Sequence, residues 1–405
     1  MKKLNKNFNL LADDYLFAKV SAAVDKYKAD FPQSDIISLG IGDVTQPLVA
    51  KVIKACNDAA FEMSTDKFFR GYGPYDGYPF LKQAIVDYYK RRGVEIDLDD
   101  VFVTDGAKNG VGNLLDIFDS DVSVMIPDPV YPAYVDANII AGHKVVYVEG
   151  NKSNGFLPMP SKKTKADLIY ICSPNNPTGA AYTVDQLKEW VRFALDTDAI
   201  IIYDAAYEAF IEEKNIARSI YEVNGARDCA IEICSLSKMA GFTGVRCGWT
   251  VIPNGNLTVL NRLWYKRQSI KSNGTSYIVQ RMAESALKGG YDEVKQSLSV
   301  YKSNAKLICD KFKKWGIEFT GGVNSPYIWF YTGVDSWEFF DYLLKKAKIV
   351  CTPGFGFGKN CNGWIRITAF NTPARTAEAL KRFETFWKDF TEVRSSIFKP
   401  LKTAR

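Results

Sequence analysis

Lys238 follows two serines in Ser235-x-Ser237-Lys238, with Arg246 downstream; Asp204 stands shortly before Tyr207; and an Asn176-Pro177-Thr178-Gly179 turn precedes both. Each group comes directly after a short apolar run. In α/β sheets ligands bind beyond the carboxyl ends of the strands, so these are the positions where a site would be built. Singly, an aspartate ending one buried strand or a lysine beyond another is explained as a rim charge. In this order, with two serines, an arginine and the Asn-Pro turn, they form a specific constellation. Thr104-Asp105-Gly106-Ala107-Lys108-Asn109-Gly110 is a further such place. A small-residue turn opening a helix offers backbone N–H groups and a positive dipole end to a phosphate, although alone it reads more simply as a tight turn. The chain has one histidine, His143, in a turn where a solvated residue is expected. A multi-histidine metal site is therefore excluded, no metal is expected, and acid–base chemistry falls to another side chain.

The elements that must position these residues are legible in the apolar pattern. Runs at 101–103, 122–126, 144–148, 168–172, 199–203, 230–234 and 249–252 read as strands, several of them continuous in β-branched residues as in a mostly parallel sheet buried on both faces. Helical patterns fall between most of them, for example 183–195 with Thr183 as N-cap. The fold class is thus α/β, helices covering a mostly parallel sheet. After residue 290 the texture changes to a long helical pattern at 291–315, short strands near 327–330 and 364–367, and a last helix over 373–390. We expect a large α/β domain over 48–290 and a smaller α+β domain from 1–47 and 291–405, ending in a frayed basic tail. The run Gly354-Phe355-Gly356-Phe357-Gly358 lacks nucleotide-loop spacing and reads as a mobile loop.

Composition narrows the class. The 405 residues are 47% hydrophobic and 24% charged, ordinary values for a globular protein. The net charge of +6 is spread out, without a basic run for nucleic acid. No stretch approaches the ~18–20 apolar residues of a membrane span, and no secretory signal is visible, so a cytoplasmic protein is expected. The eight cysteines form no C-x-x-C pair and read as reduced thiols.

Asn176-Pro177-Thr178-Gly179, Asp204-x-x-Tyr207 and Ser235-x-Ser237-Lys238 with Arg246 resemble the signature of fold-type I, class I/II aminotransferases, which use pyridoxal 5'-phosphate. The resemblance covers nearly the whole chain, including Gly363-Trp364-Ile365-Arg366-Ile367. Leu39-Gly40-Ile41-Gly42-Asp43, Tyr15-Leu16-Phe17, Asp105-Gly106-Ala107-Lys108 and the stretch from Gly241 to Trp249 are similar, more narrowly, to the LL-diaminopimelate aminotransferases of lysine biosynthesis. The resemblance implies that Lys238 condenses with the cofactor aldehyde and, once freed, moves the substrate Cα proton. It implies that Asp204 pairs with the pyridine nitrogen, and that Tyr207 and Asn176 bond the ring oxygen. Ser235, Ser237 and Arg246, with the backbone of Ala107 and Lys108, would hold the phosphate; an arginine fork suits that dianion. Tyr131 would stack on the ring. Arg366 would fork the substrate carboxylate, helped by Asn176 and Gly42, with Tyr15 and Lys108 also on the substrate side.

The same resemblance implies a homodimer with shared sites, Tyr72 reaching the neighbouring phosphate and Asn273 the neighbouring substrate. The partners expected are therefore amino acids, 2-oxo acids such as 2-oxoglutarate and a second copy of the chain. One departure stands out: the diaminopimelate pattern has a glutamate where this chain has Tyr75, and Asp76 would compensate only if the loop shifts. Rival readings are an aminotransferase for another amino acid, a pyridoxal phosphate lyase cleaving a Cβ–S bond, and a ligand-sensing regulator on the same fold. The regulator is disfavoured by the intact Lys238 and Asp204 and by the lack of room for a DNA-binding segment ahead of the motifs.

Overall fold

Strand Leu168–Cys172 sends Ile169 and Ile171 into one hydrophobic core and Leu168, Tyr170 and Cys172 into another. That period-two split, with both faces buried, defines the large sheet. The protein is described here from a computed structural model covering residues 3–12, 15–161, 163–399 and 401. Most of the basic tail expected to fray lies outside the described residues. Seven strands form the sheet: β1 Val101–Thr104, β2 Ser123–Asp128, β3 Lys144–Glu149, β4 Leu168–Cys172, β5 Ile200–Asp204, β6 Ala230–Ser235 and β7 Gly248–Val251. Their order is β1-β7-β6-β5-β4-β2-β3. Only β7 runs against its neighbours, antiparallel to both β1 and β6. The edge strand β3 departs from the expected burial, because its outer side has no neighbour and Lys144, Tyr147 and Glu149 are exposed.

Helix Val184–Thr197 opens where expected. Thr183 accepts from the Gln186 amide at 3.2 Å and the Gln186 side chain accepts from the Thr183 amide at 2.9 Å, a reciprocal cap. Its Leu187, Trp190, Val191 and Ala194 follow the helical repeat and are buried.

A four-stranded antiparallel sheet takes up the later part of the chain: β8 Phe319–Gly321, β9 Tyr327–Tyr331, β10 Thr352–Pro353 and β11 Trp364–Thr368, in the order β10-β11-β9-β8. Helices Tyr291–Lys314, Ser336–Ala347 and Pro373–Ile397 accompany it. Their shared core is dense in aromatic rings; Phe383 lies 5.3 Å from Phe312 and 5.7 Å from Trp387, centre to centre. Helix Leu16–Asp30 adds Leu16, Val20 and Tyr27 to this core, and Ile37–Ser38 pairs in parallel with Ile349–Val350. The last helix runs to Ile397, beyond the expected 390, since no glycine or proline interrupts it before Pro400.

Two expectations are corrected here. His143 is buried, not solvated: its Nδ1 lies 2.7 Å from Asn138 Oδ1, and burial lowers its pKa. The turn after helix Pro132–Ala141 folds the ring inward on that amide. The glycine run near 354 is a packed 3₁₀ turn, Gly354–Phe357, with Phe357 buried against Phe17 and Trp329. Among the described residues no helix is long and apolar enough to cross a membrane.

Candidate active site

One edge of the large sheet gathers Asp204, Ser235, Ser237, Lys238 and Arg246. Asp204 ends β5 opposite Cys172 at the end of β4, and Ser235 ends β6. Arg246 precedes a strand rather than following one. It reaches the same edge because β7 is reversed: Gly248, its first residue, pairs with both Thr104 and Ser235, the last residues of β1 and β6.

These side chains surround a cavity of about 530 Å³, within the usual range for a small-molecule site. Its lining includes Gly42, Ala107, Lys108, Tyr131, Asn176, Asp204, Tyr207, Ser235, Ser237, Lys238, Arg246 and Arg366. Tyr15 stands just behind the wall, its ring 5.7 Å from Phe17 and 5.2 Å from Lys108 Nζ, with a buried hydroxyl that has no partner. Burial, then the neighbouring Tyr131, raises the Tyr15 pKa. Tyr72 is 92% exposed, and Asn273 is exposed between helices Thr258–Lys271 and Tyr277–Leu287, so neither lines this chain's own cavity.

Among the charged groups that face the cavity, Asp204, Lys238 and Arg366 have no ion-pair partner among the described residues. Asp204 is buried, accepting from Tyr134 at 2.5 Å and from the Ala206 amide at 2.9 Å; desolvation raises its pKa. Lys238 donates to the Gly42 carbonyl, and burial pushes its pKa down to about 8. Arg366 is 1% exposed, donating to Asn176 Oδ1 and the Gly40 carbonyl, each at 2.6 Å. Its Nε is buried without a partner. Aromatic rings of Tyr327, Phe357 and Phe17 lie 4.5, 5.0 and 5.3 Å from the guanidinium, a setting that partly replaces lost hydration.

At the other end Arg246 donates to Ser237 Oγ at 3.1 Å and to the Thr243 carbonyl at 3.0 Å. Ser235 caps the short turn that carries Lys238, accepting from the Ser237 amide at 3.0 Å. Gly106 has φ +126°, and a Cβ there would lie 2.5 Å from Arg246 Nη2, so only glycine allows the arginine to close on this turn. Buried opposite charges, a lysine amine of lowered pKa and an arginine-serine cradle can bind a zwitterion and an anion and move a proton between them.

The motif reading missed Tyr134, which holds Asp204, and Tyr327, whose hydroxyl is 2.8 Å from that of Tyr207. Tyr134 carries a weak signal, one helical turn after Tyr131. Tyr327 carries none, arriving from the other sheet.

Fold and site together define a class. The chain belongs to the class I and II aminotransferases, whose family model matches residues 34–383 and whose members generally depend on pyridoxal phosphate. Among named relatives, the LL-diaminopimelate aminotransferase of Methanosphaera stadtmanae is 45% identical over 404 residues, covering 94% of this chain and 98% of that protein. That of Parabacteroides distasonis is 45% identical over 405 residues, with the same coverage of 94% and 98%. The solved L,L-diaminopimelate aminotransferase from Chlamydomonas reinhardtii matches with a TM-score of 0.90 at 36% identity, over 95% of this chain and 99% of that one.

Proposed function

We propose that this chain is a pyridoxal phosphate-dependent aminotransferase of lysine biosynthesis, exchanging amino groups between LL-diaminopimelate or a related diamino acid and 2-oxoglutarate. The observation that carries the reading is the convergence of Asp204, Lys238 and Arg366, all without ion-pair partners among the described residues, on one cavity. The residues present fit the cofactor. A buried carboxylate suits a protonated pyridine nitrogen, the Arg246–Ser237–Ser235 cradle suits a phosphate, and Tyr131 offers a ring face. Pyridoxal phosphate, when bound, supplies an electron sink for the charge left as an amino acid loses its Cα proton. Asp204 stabilises the protonated nitrogen that makes this possible. Lys238, part neutral near physiological pH, would take the proton from the substrate Cα and pass it to the cofactor side, the shift that transamination requires. Arg366 orients the substrate by its carboxylate, its partnerless Nε and the side-chain N–H groups of the Asn176 it holds marking where that group sits. We read residues 48–290 as the large unit and 1–47 with 291–405 as the small one, a division supported by their largely separate cores.

The active unit in this reading is a homodimer. The support is that Tyr72 and Asn273 are exposed and away from their own cavity. Mixing an inactive Lys238→Ala chain with an inactive Tyr72→Phe/Asn273→Ala chain should restore activity, because one site of the heterodimer is intact. No recovery under conditions that demonstrably exchange subunits would count against shared sites.

Substrate preference turns on Tyr75. A tyrosine in place of a glutamate offers a hydroxyl and no carboxylate to a distal ammonium. Asp76 is not free to replace it: its carboxylate pairs with buried Lys82, and its carbonyl accepts from the Val103 amide at 2.9 Å, pinning the turn to β1. The loop shift that would let Asp76 compensate is therefore opposed. We expect LL-diaminopimelate to be used with relaxed preference over lysine, glutamate and aromatic amino acids. Tyr75→Glu should raise its kcat/KM by about 10- to 100-fold, the worth of one hydrogen bond to a charged group. A wild-type preference of several decades with no gain in the variant would make Tyr75 irrelevant. No use of LL-diaminopimelate by either protein would refute the substrate reading, and pyruvate and ammonia release without a 2-oxo acid would identify a lyase.

A further inference from the structure

Tyr327 opens β9 and is 1% exposed, yet it lines the cavity that holds Lys238 and Asp204. It belongs to the four-stranded sheet but packs in a core of the seven-stranded one. In the β9–β11 pair, Tyr327 lies opposite Thr368 and Trp329 opposite Arg366. Residues offset by two across an antiparallel pair share a face, which brings the Tyr327 ring to 4.5 Å from the Arg366 guanidinium. Its hydroxyl stands 2.8 Å from that of Tyr207. It also presses on Gly42, where a Cβ would lie 2.3 Å away, so that position admits only glycine while this tyrosine is in place.

A single hydrogen bond joins the two phenols, so one donates and the other accepts. The guanidinium beside Tyr327 favours loss of its proton, which makes it the better donor of the two. The other titratable groups around the pair are Tyr131, Cys172 and Lys238. We infer that Tyr327 is a positioning residue: its hydroxyl donates to Tyr207 and so turns the Tyr207 proton into the cavity, toward the ring oxygen of the cofactor. A hydroxyl that accepts one hydrogen bond donates the next more strongly, so Tyr327 acts on the cofactor through Tyr207. Because Arg366 lies against the same ring, this tyrosine also links the substrate-carboxylate arginine to the cofactor end of the cavity. The inference rests on the pyridoxal phosphate reading above.

Tyr327→Phe removes one oxygen and keeps the ring against Arg366. The test is the pH midpoint of the visible absorbance of the Lys238-linked cofactor in wild type, Tyr327→Phe, Tyr207→Phe and the double variant. A weaker donor at Tyr207 leaves the ring oxygen more basic, and the proton it shares with the Lys238 nitrogen is then held to higher pH. Tyr327→Phe should raise the midpoint by roughly a few tenths of a pH unit. Tyr207→Phe should raise it further, and adding Tyr327→Phe to that variant should change nothing. A merely structural tyrosine would leave the midpoint unmoved. An unchanged or lowered midpoint in Tyr327→Phe, or an equal shift in both backgrounds, overturns the assignment. So does a Tyr327→Phe protein that fails to fold, since the hydroxyl would then be structural. If the wild type shows no Lys238-linked absorbance, the cofactor reading itself falls and Tyr327 falls with it, an outcome distinct from a normal wild-type titration with silent variants.

Discussion

Replacing Lys238 with alanine should lower turnover by about 10⁴-fold or more in a protein that still folds, because the substitution removes both the nucleophile and the proton carrier. In the wild type, borohydride should fix the cofactor to the chain, and peptide mapping should find it on Lys238. A label on a different lysine would sink the assignment. The lowered pKa adds a second readout. Only a neutral amine attacks an aldehyde, so capture of pyridoxal phosphate by the apoprotein should accelerate about tenfold per pH unit below pH 8 and level off above it. The cause is burial, with Arg366 and Arg246 adding to it and Asp43 opposing. A rate still climbing toward pH 10.5, the ordinary value for lysine, would mean that the amine is not desolvated in solution.

Arg366→Gln should reduce kcat/KM for the amino acid by about 10²- to 10⁴-fold, the range for removing one partner of a buried charge pair. Glutamine keeps a donor for the Gly40 carbonyl but loses the fork and the charge. Arg366→Lys should recover only part of the loss, since an ammonium cannot present two parallel donors to a carboxylate. Cofactor affinity, read from the visible absorbance, should fall far less than kcat/KM in both variants, because Arg366 touches none of the Arg246–Ser237 cradle and meets the cofactor residues only through Asn176. A parallel loss of cofactor would show that Arg366 holds the cavity open and does not read the substrate.

Much of this site is legible before any coordinates. Lys238, Asp204 and Ser235 sit at or just past strand ends, and a strand end is a one-dimensional feature: an apolar run stops and a polar residue follows. The parallel strands do the rest, because every strand running the same way delivers its carboxyl end to one edge. The helix opened by Thr183 is equally local, its cap formed by residues three apart. The family resemblance rests on such contiguous segments.

What only the tertiary structure decided depends on contacts between segments far apart in the chain. The reversal of β7 brings Arg246 to the strand-end edge beside Ser237, and strand direction is set by pairing, not by composition. Tyr327 reaches Tyr207 across 120 residues, through the diagonal that also places it beside Arg366. His143 lies in a polar-looking turn that folds inward onto Asn138, and the glycine run near 354 packs through Phe357 against Phe17 and Trp329. Asp76, one residue from where a counter-charge would serve, is committed to Lys82 and to the Val103 amide. Residue type and order along this chain determined which groups could do chemistry. Whether each side chain is spent on a neighbour or left facing the cavity was decided by packing, because burial and partner choice are properties of the whole fold.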